Sequence, residues 1–202
     1  MVQLQLTAAS DATDVSLHGR VRLSCPPGWT VQMDELAFVL PSGGFLESTI
    51  EVTMPPGTAP GLYPVRAELA VTGGAIPPSW RQGVEDVCVI SVGATNDQVL
   101  RLVTDPSSVE VAAGGAATLS VTVGTDAHAA LAVEAHLISP WGTWEWLGPN
   151  IIGAELPANG TVELEFDVTP PAWVEPGEWW ALIRVACAGE LVYSPAVKVT
   201  VR

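Results

Sequence analysis

Positive charge is what this chain has least of. Its 202 residues include only 8 lysines and arginines against 22 acidic residues, a formal net charge of −14. A surface of that sign repels phosphate backbones and anionic lipid headgroups, so neither nucleic acid nor a membrane surface is an expected partner. The carboxylates are scattered rather than gathered into runs, the pattern of a surface kept soluble by charge. Cysteine is scarce as well. Cys25, Cys88 and Cys187 are too few for a disulfide framework, and none stands at metal-ligand spacing. Cys25 and Cys88, in the runs VRLSC and VCVISV, are expected as buried thiols rather than a bridged pair, and Cys187 as a small core residue. No stretch of about 20 apolar residues is present to span a bilayer. The opening MVQLQLTAASDAT has neither the basic stretch nor the apolar core of a secretory leader. An odd thiol count without a visible leader leans towards the cytoplasm.

The usual groupings of reactive side chains are missing too. His18, His128 and His136 are isolated, the first two in expected loops and the third in the strand-like AVEAHLIS. Metal binding and general-base catalysis both need a convergent set that these positions do not supply. There is no Gly-x-Ser-x-Gly elbow and no phosphate-cradling glycine loop running into a helix. Glu163 and Glu165 are the kind of carboxylate pair a glycosidase uses, but on a strand they share the outward face while Leu164 and Phe166 point in. No catalytic residue, metal or cofactor is therefore expected. Nor does any segment hold a 3.6-residue period for three turns.

What is present is a repeat. Leu40 to Gly74 and Leu156 to Glu190 align without a gap at an offset of 116 residues, with 11 identities in 35 positions. The identities include Pro41/Pro157, Gly44/Gly160, Val52/Val168, Pro55/Pro171, Pro60/Pro176 and Gly61/Gly177, which are architectural residue types. Around the repeat, apolar residues alternate with polar ones, as in Val21-Leu23-Cys25, Ile50-Val52, Leu119-Val121-Val123, Leu164-Phe166-Val168 and Ala181-Ile183-Val185. Period two over runs of 4 to 8, broken by Gly, Pro, Asn or Asp, marks half-buried antiparallel strands. The expected fold is all-β: two tandem immunoglobulin-like antiparallel β-sandwiches over residues 1–95 and 96–202, joined by a short polar linker near Gly93 to Gln98. Asn159-Gly160 reads as a hairpin turn of type I′. The opening segment of the second half, LRLVTDPSSVEVAAGG, has no counterpart in the first. The first sandwich is thus expected to lack its N-terminal strand or strands, leaving an edge for the missing N-terminal part of the same protein to cover.

Eight tryptophans against three phenylalanines is an unusual ratio. Trp179 aligns with Tyr63 and alternates with inward residues, so it is expected to be buried. Trp29 and Trp144 overlay to within a residue and are expected to plug equivalent core positions, with Trp146 on the same face as Trp144. Trp80, Trp141, Trp173 and Trp180 are harder to bury. They are candidates for docking against a neighbouring protein surface or for stacking on the apolar faces of a carbohydrate.

At PPGWTV followed by FLESTIEVTMPPGTAPGLYPVRAEL, the first half resembles the immunoglobulin-like accessory domain attached to bacterial alpha-galactosidases and related carbohydrate enzymes. Pro26, Pro27, Gly28, Trp29, Val52, Pro55, Pro56, Gly57, Pro60, Gly61 and Tyr63 carry the likeness. The second half, through HLISPWGTWEWLGP and PPAWVEPGEWWALIRVACAGELVYSPAV, is similar to the C-terminal end of bacterial alpha-mannosidase-like proteins of glycoside hydrolase family 38. The resemblance implies a non-catalytic accessory region. The zinc ion and catalytic aspartate of such enzymes belong to a catalytic domain that these residues do not include. No catalytic position carries over. The Trp-rich second half departs from the accessory pattern where Gly57 becomes Trp173 and Pro64 becomes Trp180.

Overall fold

The computed structural model describes residues 1–12, 14–73, 77, 83–146 and 148–202, with Trp144 described by its backbone alone. Its elements are β1 (Val2–Ala9), β2 (Leu17–Ser24), β3 (Thr30–Val31), β4 (Glu35–Leu40), β5 (Phe45–Thr53), β6 (Gly61–Gly73), β7 (Val84–Val92), β8 (Arg101–Thr104), β9 (Val109–Val111), β10 (Ala117–Gly124), β11 (Leu131–Ile138), β12 (Ile151–Leu156), β13 (Thr161–Val168), β14 (Gly177–Cys187), β15 (Glu190–Tyr193) and β16 (Val197–Val201). One 3-10 turn, Trp144–Trp146, is the only helical element among the described residues. The chain divides into two compact units, Met1–Gly93 and Ala94–Arg202.

In the first unit, the sheet β1-β5-β3 faces the sheet β4-β2-β6-β7. Alternation along each strand sends one row of side chains inward. Ile50 and Val52 of the first sheet thus meet Val21, Leu23, Phe38, Leu40 and Val65 of the second in one apolar core. Trp29 is buried there with its ring 4.9 Å from that of Tyr63. In the second unit, β13-β10-β8 accompanies a larger sheet, β12-β11-β14-β16-β9, with β15 also paired to β14. Among the described residues every strand pairing is antiparallel except one: β9 runs parallel to β16, Val109 opposite Val199 and Val111 opposite Val201.

The repeat extends to strand pairing. β2 lies between β4 and β6 as β11 lies between β12 and β14, and β1 pairs with β5 as β10 pairs with β13. The Pro and Gly shared by the two halves have a steric reason. In Pro41–Gly44 and Pro157–Gly160 the glycine N–H donates to the proline carbonyl, at 2.8 and 3.1 Å. A Cβ on Gly44 would lie 2.5 Å from the Pro41 ring, and one on Gly160 would lie 2.8 Å from the Pro157 ring. Only glycine fits under the ring.

Several expectations need correction. The turn at Asn159 is not a type I′ hairpin. Its central residues are Ala158 and Asn159, only Asn159 has a positive φ (48°), and it joins β12 and β13, which belong to different sheets. It is a corner between sheets. Trp179 is half-buried rather than buried, packed edge-on against the buried Trp146 with ring centres 5.6 Å apart. His18 lies in β2, not in a loop. Cys25 is half-buried and Cys88 is exposed, because Cys88 sits on the edge strand β7; neither is in a disulfide. Cys187 is buried.

Candidate functional site

The described residues contain no group of three or more His, Cys, Asp or Glu side chains placed to hold a metal ion. Glu163 and Glu165 both lie exposed on the outer face of β13. The chemistry-bearing surface of the second unit is of another kind: aromatic rings held outward on rigid supports.

Trp141 is 85 % exposed and Trp173 71 % exposed. Trp141 occupies the second position of the turn Pro140–Thr143, with Gly142 at φ 90° in the third, the arrangement of a type II turn. The turn is closed three times. The Thr143 N–H donates to the Pro140 carbonyl at 3.3 Å, the Thr143 hydroxyl donates to the same carbonyl at 2.6 Å, and the Ser139 and Thr143 hydroxyls are 2.6 Å apart. Ser139 and Thr143 are buried beneath. Trp173 stands in Pro171–Val174, which corresponds to Pro55–Thr58 of the first unit. Gly57 has a φ of 77° there, whereas Trp173 has no positive φ, so the replacement changes the turn and presents an indole to solvent. Val174 donates to the Pro171 carbonyl at 3.0 Å and is buried, and Gly114 donates to the Pro170 carbonyl at 2.8 Å; together they pin the loop from below.

Trp180 is 45 % exposed, on the outer face of β14 near its start. Because β11 runs antiparallel to β14, the turn that carries Trp141 leaves the sheet at this same end. Thr169 donates to the Trp146 carbonyl at 2.7 Å, which ties the start of the Trp173 loop to the 3-10 turn. The structure therefore brings Trp141, Trp173 and Trp180 to one end of the second unit. Trp80 lies outside the described residues.

Strand register adds a row that local sequence does not reveal. Ile151, His136, Arg184 and Tyr193 stand side by side across β12, β11, β14 and β15, on the face that carries Trp180 and Leu182. The His136 ring lies 2.6 Å from the Glu134 carboxylate. Nε of Arg184 is buried and has no hydrogen-bond partner among the described residues, nor does its guanidinium form an ion pair with them. Tyr193 and Ile151 are exposed. Trp, Tyr and Arg are the residue types that dominate binding energy at protein interfaces. A guanidinium that no described carboxylate pairs is a donor available to a partner.

Residues 1–72 match the model of the NPCBM-associated, NEW3 domain of alpha-galactosidase. The first unit thus carries the likeness to an accessory domain of glycosidases. No curated protein matches the chain. Among solved structures, a family 123 glycoside hydrolase from Clostridium perfringens aligns at 10% identity over 46% of this chain and 22% of its own, with a TM-score of 0.33. Red sea bream transglutaminase aligns at 11% identity over 99% of this chain and 29% of its own, with a TM-score of 0.34. A chimeric titin Z1Z2–Z1Z2 tandem aligns at 11% identity over 100% of this chain and 91% of its own, with a TM-score of 0.32. The chain spans less than a third of the first two. At these scores none of the three carries an argument.

Proposed function

We propose that this chain is a non-catalytic accessory region of a larger glycoside hydrolase, and that it packs against or orients the catalytic part of that enzyme. The match of residues 1–72 to a glycosidase-associated domain is the observation that carries this reading. The parent enzyme is alpha-mannosidase-like, a finer assignment that rests on the resemblance of the segments around Trp141 and Trp180. The second unit makes the protein contact, through Trp141, Trp173, Trp180, Arg184 and Tyr193. The closed turns beneath Trp141 and Trp173 lose little main-chain freedom on binding, which favours a tight contact. Calorimetry between this chain and the catalytic part tests the assignment. Arg184→Ala and Trp180→Ala should each weaken association by about tenfold or more, and unchanged affinity in both variants would remove the second unit from the contact.

The same indoles and the His136–Arg184–Tyr193 row support a second reading, carbohydrate binding by ring stacking with hydrogen bonds to hydroxyls. Titration with mannosides, galactosides and polysaccharides, followed by tryptophan fluorescence, separates the two. Protein docking gives no saturable change. A saturable change that disappears in Trp180→Ala assigns the face to sugar. Hydrolysis of aryl glycosides by the purified chain would overturn the non-catalytic reading.

A further inference from the structure

The two units differ most along one side, and the second shows what the first is built to receive. β1 and β10 are equivalent strands. Leu4 opposes Ile50 as Leu119 opposes Phe166, and Leu6 opposes Ser48 as Val121 opposes Leu164. The other edge of β10 is covered by β8, Leu102 opposite Val123, whereas no described strand lies on the other edge of β1. Burial follows from this. Leu119 and Val121 are at most 1 % exposed, while Leu4 and Leu6 are only half-buried. The far sheet repeats the contrast. β16 is flanked by β9 and keeps Val201 buried; the equivalent strand β7 is an edge, with Val92 half-buried and Cys88 exposed. Between these two edges lies a cleft of about 70 Å³, mostly apolar through Leu4, Leu6, Ile50, Val65 and Cys88, with Arg66 and Asp86 also on its wall.

In the second unit a single stretch closes the equivalent side. It seats Leu100 in the core, pairs β8 antiparallel to β10, buries Pro106, then pairs β9 parallel to β16 and buries Val111. We infer that the open side of the first unit, from β1 across to β7, is a docking groove for an extended polypeptide segment built like residues 100–111, with two short apolar stretches either side of a proline, which pairs antiparallel with β1 and seats its apolar side chains over Leu4, Leu6 and Cys88. Backbone hydrogen bonds to the bare edge would supply affinity, and the cleft would select the side chains. A second copy of this chain is a poor occupant, since two bodies of charge −14 repel each other. The inference stands on the two units alone and does not depend on the accessory-region assignment.

The register supplies the test. Val2 corresponds to Ala117, so residues 98–115 joined directly ahead of Met1 reproduce the spacing by which the second unit closes itself. Tethering keeps the segment at high effective concentration, so weak affinity cannot mask binding. With this graft the amides of β1 should exchange about tenfold more slowly with solvent, and Cys88 should alkylate about tenfold more slowly. A control graft, with aspartate in its copies of Leu100, Leu102 and Val111, should change neither. Failure of the first graft to protect β1 and Cys88 overturns the groove. Equal protection by the control overturns the apolar selection. Protection of β1 in the unmodified chain, accompanied by dimers in sedimentation, would assign the edge to a second copy instead.

Discussion

Met1–Gly93 and Ala94–Arg202 share strand pairing and corner turns but close their sandwiches differently. The second unit folds a strand onto each of the two edges that no described strand of the first covers, and it carries Trp141 and Trp173 on turns braced from below. The comparison teaches that core burial depends on neighbouring strands as much as on residue type. Leu4 and Leu119 are the same amino acid at the same place in the repeat, yet only Leu119 is sealed.

The most direct way to break that comparison is to truncate both. Leu119→Ala should destabilise the second unit by about 2–5 kcal/mol, as for a fully enclosed leucine. Leu4→Ala, whose side chain is already half in water, should cost the first unit less than half as much. Because two units need not unfold together, each loss should be followed by hydrogen exchange of its own strands rather than by one global transition. Equal costs would mean that the bare side of the first unit is sealed in solution.

A smaller effect sharpens the account of how the second unit holds its covering strand. The Glu190 carboxylate accepts hydrogen bonds from the N–H groups of Val99 and Leu100, each at 3.0 Å, immediately before β8. Removing a charged acceptor from two backbone donors of buried residues costs about 1–3 kcal/mol. Glu190→Ala should therefore destabilise the second unit by that amount and accelerate exchange at Val99 and Leu100 first. The aligned position in the first unit is Gly74, which has no carboxylate to offer.

The smallest effect concerns the thiols. Desolvation pushes the half-buried Cys25 thiol above its ordinary value; at Cys88, exposed as a residue, partial desolvation of the thiol and then the Asp86 carboxylate push it up. A raised value leaves less thiolate at a given pH, so both should alkylate more slowly near pH 8 than an unperturbed cysteine and gain rate only at higher pH. Cys88 should still react well before the buried Cys187. In Asp86→Asn the midpoint of the Cys88 pH–rate profile should move down. An unmoved midpoint would leave burial as the sole cause.

Alternation made the strands legible from sequence, because inward and outward positions are recorded in the residues themselves: Leu164 and Phe166 against Glu163 and Glu165. The all-β character followed directly. Which sheet each strand joins left no such record. Asn159-Gly160 therefore read as a hairpin although it turns a corner, and the parallel pairing of β9 with β16 gave no local sign. Edges are invisible for the same reason: the alternation in VCVISV is that of a covered strand, yet no described strand flanks the far side of β7 and Cys88 is exposed. The outward set of Trp180, Leu182 and Arg184 could be read along one strand. Its alignment with His136 and Tyr193 depends on cross-strand register, which no single segment encodes.

The Glu190 clamp has a mechanical side. Tension arriving along the backbone from Gly93 would meet two charge-assisted bonds at Val99 and Leu100 before it reached the ladder between β8 and β10. The pull would pass through Glu190 into the tight reversal at Ala188-Gly189 and the paired strands on either side of it. A tether drawn taut in this way would be resisted by the middle of the larger sheet instead of peeling its companion open from the rim.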